Sequence, residues 1–482
     1  MGYSFKAPLK QIIDEVYNFS KCKKKRIYLV GGAIRDGLLS RIKYNPDLDF
    51  CLKKGAINFS RQLSQRIKSG FVILDKQRAV CRLVKRIKDK CFTLDFMDFR
   101  GKTIQEDLFH RDFTINALAV ALDDYYTKGL KNSIIDPYGG LRDLEARAIR
   151  VVNKKSFDDD PLRILRAFSH ACLLGFKIQK DTLKLIRRKA KKLLNVSFER
   201  IRDELFKILE APYAYHYLIQ LERLKILRLI IPEIEIMRNV KQGPYHHLDV
   251  LRHSFETLKQ LESLIEQLKD KKEIQDYLNE IISSERRRRG LIKLGALLHD
   301  IGKPQARFKQ DGKTKFYGHE RIGLEFIERI AKRLKLSNIE LDSLGKMVLW
   351  HLRPGYLADN ENITPRAIFR FFRDTAQEAL SILLLSLADQ RATQGPLTTK
   401  ESCIQHERVV FDLINQYFKR QKEKKLKPLI NGNDLIRRFN LQPSPLIGKI
   451  LKETQELQAI GKLKNKKQAL ELAERMIREE KK

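Results

Sequence analysis

IYLVGGAIRD at residues 27–36 and DLDF at residues 47–50 determine the architecture expected for the amino-terminal part of this chain. Ile27 to Val30 predicts a short strand that runs into Gly31 and Gly32, where a helix begins. Glycines at such a point let backbone N–H groups approach phosphate oxygens, and Arg35, one turn into the helix, could reach the same phosphates. A simple tight turn is the commoner explanation of a glycine pair, so the pair needs support from other residues.

Paired carboxylates supply that support. Asp47 and Asp49 are two residues apart, and on a strand such residues point to the same face. Mg²⁺ prefers carboxylate oxygens together with substrate phosphates, although exposed acidic pairs are also common without a metal. Asp95 lies on a later alternating segment, Phe92 to Phe99, which predicts a half-buried strand and could bring a third acid. This order of features describes a polymerase-β-like nucleotidyltransferase head.

The composition narrows the class of protein. The chain has 482 residues, which predicts two to four domains, and its net charge of +36 suggests a polyanionic partner: nucleic acid, or less readily an anionic membrane surface. Solvated basic faces are the alternative. The six cysteines are scattered without a CxxC pair, which argues against a disulfide scaffold and fits a reducing cytoplasm. The longest apolar run, Ala379 to Ala388, is about half a membrane span, so we expect neither a membrane segment nor a signal peptide.

Five motifs carry a family resemblance. They are residues 27–50, EDLFHRDFTINA at 106–117, DPYGGLRDL at 136–144, DDPLRILRA at 159–167 and SFERI at 197–201. In this order they resemble the class II tRNA nucleotidyltransferase and bacterial poly(A) polymerase family, which includes the CCA-adding enzymes. The resemblance implies transfer of CMP, and in some members AMP, from CTP and ATP to tRNA 3′ ends, with release of pyrophosphate.

The resemblance also implies roles for individual residues. Asp47 and Asp49 would hold the catalytic Mg²⁺ ions and Asp95 would be the third strand acid. The remaining positions would bind the nucleotide: Gly31, Gly32, Arg35, Arg111, Asp112, Asp160, Arg163 and Arg166. Asp160 and Arg163 would read the base, since a carboxylate beside a guanidinium on one helical face imitates a pairing edge. An intrahelical salt bridge is the structural alternative.

Three positions depart from the family pattern. Asp159 stands where a Glu is usual, and Ser169 stands where a further basic residue is expected, which would loosen a phosphate contact. Only Arg100 to Gln105 separates the third-acid strand from the motif that begins at Glu106. Relatives that add the terminal A carry a flexible loop in this region, and relatives in which it is shortened resemble the CC-adding branch.

A second constellation lies in the carboxyl-terminal half. Its members follow the order of an HD-type phosphohydrolase domain with room for two metals: His253, His299, Asp300, His319, His351 and Asp389. Histidine nitrogens and carboxylate oxygens predict a divalent transition metal, whereas a single buried histidine would more often belong to a core. We expect His246 and His247 to lie outside the ligand set.

The predicted architecture is α+β: a small mixed sheet with helices, then a long all-α body that includes the HD domain. The predicted boundaries are a catalytic head at 1–150, a nucleotide-selecting and RNA-binding neck at 151–240, the HD domain at 241–400 and a basic helical tail at 401–482. The tail around 429–448 is equally consistent with RNA binding and with a solvated hairpin. Three other functions remain open: a poly(A) polymerase, an HD phosphohydrolase with an RNA-binding head, and a non-enzymatic RNA-binding protein.

Overall fold

The computed structural model describes residues 9–41, 47–87, 90–360, 362–423 and 427–480. The chain divides into two compact units, of which the first ends at Ile208 and the second begins at Leu209.

The first unit is built on a seven-stranded mixed sheet. Its strands are β1 Ile27–Val30, β2 Asp47–Leu52, β3 Gly70–Asp75, β4 Val80–Ile87, β5 Lys90–Asp98, β6 Ala119–Ala121 and β7 Ile134–Ile135. Their spatial order is β3-β4-β5-β2-β1-β6-β7. β2 and β5 run parallel, and the other neighbouring pairs are antiparallel.

Alternation along β5 gives the sheet one apolar and one polar face. Phe92, Leu94 and Phe96 are buried, and Phe96 stacks on Phe50 of β2 with ring centroids 4.9 Å apart. Asp95 points to the opposite face, as the period of two requires. In the part of the chain that the structure describes, ten helices surround or follow the sheet: α1 Leu9–Cys22, α2 Gly32–Leu38, α3 Ala56–Ile67, α4 Ile104–Phe109, α5 Leu122–Asn132, α6 Gly140–Glu145, α7 Ser156–Asp159, α8 Arg163–Leu174, α9 Lys180–Lys189 and α10 Phe198–Glu210, with a small parallel pair, β8 Ala148–Ile149 and β9 Lys177–Ile178.

The second unit is almost entirely helical. It contains α11 Ala214–Arg223, α12 Leu227–Ile230, α13 Val250–Gln267, α14 Lys272–Asn279, α15 Arg288–Leu298, α16 Lys303–Ala306, α17 His319–Leu334, α18 Asn338–Trp350, α19 Arg353–Ala358, α20 Pro365–Thr375, α21 Ala379–Ala392, α22 Lys400–Lys422, α23 Gly432–Phe439, α24 Pro445–Ala459 and α25 Lys466–Glu480. Two short antiparallel hairpins interrupt them: β10 Ile281–Ser283 with β11 Arg286–Arg287, and β12 Phe308–Gln310 with β13 Lys313–Lys315.

The apolar run Ala379 to Ala388 forms most of α21, which is buried nearly all round. A helix that is apolar on every side belongs in a protein core, and α21 is the central helix against which α13 and α22 pack. Among the described residues, no helix has the length and apolarity that crossing a bilayer requires.

The fold class is confirmed, and so are the strand predicted at Ile27–Val30 and the one predicted at Phe92–Phe99, which is observed as β5 Lys90–Asp98. One local prediction needs correction. We expected Asp160 and Arg163 on one helix, but α7 ends at Asp159 and α8 begins only at Arg163. Asp160 is extended, with φ −148°, and its carboxylate accepts a hydrogen bond from the Leu162 N–H, which makes it a cap rather than a helical residue.

Candidate active sites

The turn between β1 and α2 requires glycine. Gly31 has φ +79° and ψ −136°, a conformation that L side chains rarely adopt. A Cβ at this position would lie 2.8 Å from Arg111 Nη1 and 3.2 Å from Asp49 Oδ2. The backbone of Gly31 therefore touches the polar site directly, as the sequence predicted for a phosphate-binding turn.

The three predicted acids meet at the sheet. In the parallel β2–β5 pair, Asp49 lies opposite Asp95, and Asp47 precedes Asp49 on the same face. Desolvation raises the pKa of Asp49; Arg111 opposes this shift, and the like charges of Asp95 and Asp47 add to it. Carboxylates held together against their own repulsion are the donor set that Mg²⁺ prefers, so these residues fit the metal that the resemblance implies.

Two arginines flank these acids. Arg111 Nη1 lies 3.8 Å from Asp49 Oδ2. On the other side, Arg82 of β4 holds Asp95 in a bidentate pair, with Nε to Oδ1 and Nη2 to Oδ2 both 2.8 Å. Arg82 was not predicted from the sequence, because its place beside Asp95 depends on the register of two strands.

A second polar network surrounds Asp112. Arg166 Nη2 lies 3.0 Å from Asp112 Oδ2, and Asn116 Nδ2 donates to Oδ1 at 3.1 Å. Burial would raise the pKa of Asp112, but Arg166 and hydrogen bonds from His170 and Asn116 hold it well below its usual range. Arg35 joins the network by donating from Nη1 to Asn116 Oδ1 at 2.6 Å.

His170 is the residue that sequence reasoning missed here. Ser169 stands where the family pattern has a further basic residue, and its Oγ donates to Glu204 at 2.6 Å. His170, one turn after Arg166, lies 3.8 Å from Asp112 Oδ2. Burial lowers the pKa of His170 despite that carboxylate, which favours the neutral form of the ring beside Asp112.

The two proposed base-reading residues are not paired with each other. Asp160 Oδ2 bonds Arg200 Nη2 at 2.9 Å, and Arg200 belongs to the SFERI motif. Arg163 Nη2 donates to the His110 carbonyl at 2.6 Å, and Nη1 donates to Ser156 Oγ at 2.9 Å. The intrahelical Asp160–Arg163 salt bridge, our structural alternative, is therefore wrong, while the base-reading role stays a prediction.

A cavity of about 390 Å³ joins these groups. Of the predicted head residues, it is lined by all except Gly31 and Asp160, and Gly31 abuts Arg111 beneath it. The lining consists of Gly32, Arg35, Asp47, Asp49, Arg82, Asp95, Met97, Arg100, Asp107, His110, Arg111, Asp112, Asn116, Arg163, Arg166 and His170. A pocket with acids on one side and arginines around them suits a metal-bound polyphosphate.

The connection from β5 to α4 is short and well bonded. The Arg100 N–H donates to Asp107 Oδ1 at 3.1 Å, and the Lys102 N–H donates to Glu106 Oε2 at 2.7 Å. Thr103 caps α4 by accepting from the Glu106 N–H at 3.3 Å. Two N–H groups of this segment are thus held by side chains of the helix that follows, and Thr103 in turn caps that helix.

The second unit brings together all six residues of the other constellation. Asp300 lies at their centre: Oδ2 is 3.2 Å from His299 Nε2 and 3.7 Å from His253 Nε2, while Oδ1 is 3.3 Å from His319 Nε2 and 3.6 Å from His351 Nε2. Asp389 Oδ1 lies 2.8 Å from His253 Nε2 and 3.5 Å from His299 Nε2. Two ligand groups therefore share Asp300, one with His253 and His299, the other with His319 and His351.

Backbone carbonyls orient three of these histidines. The Nδ1 atoms of His299, His319 and His351 lie 2.7–2.9 Å from the carbonyl oxygens of Ala296, Phe316 and Val348. These contacts place an N–H on Nδ1, so Nε2 is in each case the nitrogen that faces Asp300 and would give its lone pair to a bound metal. Each histidine is three residues beyond the carbonyl it contacts, so the local turn sets the ring.

The electrostatics of this cluster fit a cation. His299 Nε2 and both oxygens of Asp300 are buried and make no hydrogen bond of good geometry, although Lys303 forms an ion pair with Asp300 Oδ2. Burial opposes charge on His299, but Asp300 and Asp389 outweigh it and raise its pKa to about 10. A site that draws a proton this strongly would also draw a divalent metal.

Neighbouring side chains contact the residues of the cluster without belonging to the ligand groups. Lys303 Nζ lies 2.6 Å from Asp300 Oδ2 and also donates to Gln242 at 2.7 Å. The ring of His246 packs on His253 with centroids 4.6 Å apart, and burial lowers the His246 pKa to about 3. His247 is exposed. His246 and His247 thus lie outside the ligand groups, as expected, while the role of Lys303 was not predicted.

The fold and the two sites define a nucleotidyltransferase head followed by an HD-type helical domain. Comparison with protein families agrees. The Poly A polymerase head domain matches residues 27–150, the probable RNA and SrmB-binding site of polymerase A matches residues 175–237, and the HD domain matches residues 250–394. The exact domain boundaries predicted above stay predictions.

Curated relatives cover most of the chain. An A-adding tRNA nucleotidyltransferase of Deinococcus radiodurans is 29% identical, covering 94% of this chain and 95% of the relative. A CC-adding enzyme of Synechocystis is 27% identical, covering 93% of each chain. The multifunctional CCA protein of Haemophilus influenzae is 31% identical, covering 77% of this chain and 86% of the relative. Among solved structures, the Thermotoga maritima CCA-adding enzyme complexed with tRNA shares the fold, with a TM-score of 0.62 at 21% identity over 98% of this chain and 96% of that one.

The chain belongs to the class II tRNA nucleotidyltransferase and bacterial poly(A) polymerase family.

Proposed function

We propose that this protein adds CMP from CTP to the 3′ end of tRNA without a nucleic-acid template, and releases pyrophosphate. The observation that carries the proposal is the row of three carboxylates, Asp47, Asp49 and Asp95, on the wall of an arginine-lined cavity beside a glycine turn. The names of the full-length relatives supply the substrate.

The residues of the head would share the work of the transfer. Asp47, Asp49 and Asp95 would hold two Mg²⁺ ions, which in such sites activate the attacking 3′ hydroxyl and support the leaving phosphates. Arg111 and Arg166 face the same cavity and would hold the triphosphate in line. Asp112, which is also bound by Asn116, would hold the Arg166 guanidinium in place.

Base selection is proposed for Asp160 and Arg163, with an added condition. Each is held by another protein group, Asp160 by Arg200 and Arg163 by the His110 carbonyl. Reading the pairing edge of cytosine therefore requires these contacts to be exchanged for contacts to the base. Arg200 lies beside the Asp160 carboxylate, and we include it among the base-selecting residues.

The β5–α4 connection favours CC addition followed by a stop before A. Its turns are fixed by Asp107, Glu106 and Thr103, which leaves little chain to reshape the pocket when C must give way to A. The names of the relatives do not decide this point, since both A-adding and CC-adding enzymes cover the chain almost completely.

The deciding experiment offers tRNA that lacks its 3′ CCA together with CTP alone, ATP alone, and both, and sequences the product ends. CC from both mixtures that contain CTP is the expected result. Efficient A addition to tRNA that ends in CC would refute the CC-only proposal, and long oligo(A) on unrelated RNA would favour a poly(A) polymerase. Asp49→Asn should abolish addition, whereas Asp75→Asn, an exchange of a carboxylate at the far edge strand β3, should not.

A second function is favoured by the Asp300 cluster. We propose that it binds one or two divalent transition-metal ions and hydrolyses a phosphate ester, because Asp300 is placed to bridge two ligand groups. His299→Ala should lose the bound metal and any phosphatase or phosphodiesterase activity, while CMP addition persists. His216→Ala, an exposed histidine outside the cluster, is the matched control. Loss of both activities in His299→Ala would instead indicate a structural role.

A further inference from the structure

One row of side chains crosses three neighbouring strands of the head. Asp49 of β2 lies opposite Asp95 of β5, and Asp95 lies opposite Arg82 of β4. The antiparallel β4–β5 register brings the Arg82 guanidinium onto Asp95, where both carboxylate oxygens accept an N–H at 2.8 Å. The acid expected to complete the metal site is thus the most fully neutralised of the three.

The two partners differ in how much they are enclosed. The Asp95 side chain is 17% exposed, whereas that of Arg82 is 43% exposed and borders the cavity. The carboxylate is on a short side chain of a half-buried strand, whereas the guanidinium is on a long, partly exposed side chain. If the pair opens, Arg82 is the member that moves.

Metal and guanidinium compete for the same acid. Mg²⁺ coordinates carboxylate oxygens at about 2.0–2.1 Å, and a bidentate guanidinium occupies both oxygens and repels a dication close to them. A nucleoside triphosphate brings oxygen acceptors that suit the same planar fork. The Arg82 side chain therefore has a second partner when the cavity fills.

We propose that Arg82 is a positioning residue that holds Asp95 until metal and nucleoside triphosphate enter together, and then transfers its guanidinium from Asp95 to the phosphates. The inference rests on the proposed transferase function. Without nucleotide, Arg82 would weaken the binding of metal. When nucleotide is present, Arg82 would strengthen nucleotide binding.

The test measures metal and nucleotide separately. Mn²⁺ binding to the full chain is measured by calorimetry without nucleotide, and the contribution of the head is taken as the difference from Asp49→Asn. In Arg82→Ala the head should bind Mn²⁺ about five- to tenfold more tightly, a usual size for coupling between two sites. The KM for CTP should rise about tenfold, since one charge-assisted contact is lost.

Two variants serve as comparisons. Arg86→Ala removes an exposed arginine four residues along β4, on the same face, and should change neither value. Arg82→Lys keeps the charge without the fork, and should return Mn²⁺ affinity towards the parent while leaving KM raised.

Weaker Mn²⁺ binding in Arg82→Ala would overturn the proposal, because it would show that the arginine serves only to hold the strand acid in place. Unchanged Mn²⁺ affinity and KM would overturn it equally. The Mn²⁺ measurement needs no turnover, so a parent protein that binds metal but adds no CMP would reject the proposed function separately.

Discussion

Replacing Glu456 with glutamine should loosen the tail helix α24 from α20. Glu456 is buried, and its Oε2 lies 2.8 Å from Arg366 Nε and from Arg370 Nη2, while Oε1 accepts from Arg373. Burial alone would raise the Glu456 pKa, but the three guanidinium groups bring it down from 4.5 to about 2. A difference of about 2.5 pKa units corresponds to about 3 kcal/mol of stability at neutral pH.

The sign of the pH dependence follows from the lowered pKa. A carboxylate with a lower pKa in the folded state contributes its stability above the unfolded value and loses it as the pH falls through the folded value. The wild-type contribution is therefore complete above about pH 4.5 and declines towards pH 2. Because the glutamine variant lacks this contribution at every pH, the difference in stability between wild type and variant should shrink as the pH falls from about 4.5 to about 2.

Hydrogen exchange of peptides from α20 and α24 measures this local opening, which a whole-chain melt of two units would blur. At neutral pH, Glu456→Gln should exchange roughly a hundredfold faster there, the rate equivalent of about 3 kcal/mol. Glu474→Gln, which removes an exposed pair with Arg478 on α25, should change exchange by less than about fivefold. Equal small effects in both variants, or a gap that persists at pH 2, would refute the reasoning.

Three further predictions address the sites. Gly302→Ala should strip metal from the Asp300 cluster, as read by metal analysis, while CMP addition continues, because a Cβ there would lie 2.1 Å from the His319 carbonyl oxygen. Arg163→Lys should lower the ratio of kcat/KM for CTP over UTP by about tenfold, since an ammonium lacks the planar fork with which Arg163, once released from His110 and Ser156, would meet the pairing edge of the base. tRNA affinity should fall with salt at a log–log slope of about −0.7 to −0.9 per phosphate contacted, and a slope near zero would exclude charge as the main source of affinity.

Sequence patterns predicted those features of the head that are determined by residues close together in the chain. The strand before Gly31, the acids at Asp47 and Asp49 and the alternation around Asp95 are read within a few residues, and the structure has them in that form. The six HD residues were found because their chemistry is rare in a chain with ten histidines and their order is distinctive.

Register and pairing could not be predicted in this way. Arg82 meets Asp95 only through the alignment of β4 with β5, and neither β3 nor β4 was expected from the sequence. In the basic run Arg286 to Arg289, Arg286 is buried against Glu340 and Arg288 against Glu378. A run of like charges does not reveal whether acids from distant segments neutralise it.

The ion pairs of the head couple the binding of metal to the binding of nucleotide. Asp95 is held by Arg82, Asp49 faces Arg111, and Asp112 is held by Arg166. A metal ion alone must displace or oppose a guanidinium, and a triphosphate alone must draw a guanidinium away from its acid. Mg²⁺ and nucleotide arriving together satisfy both members of each pair, so each should raise the affinity for the other by the same factor. The acid–arginine ion pairs that line the cavity would therefore weaken the binding of metal alone and of nucleotide alone.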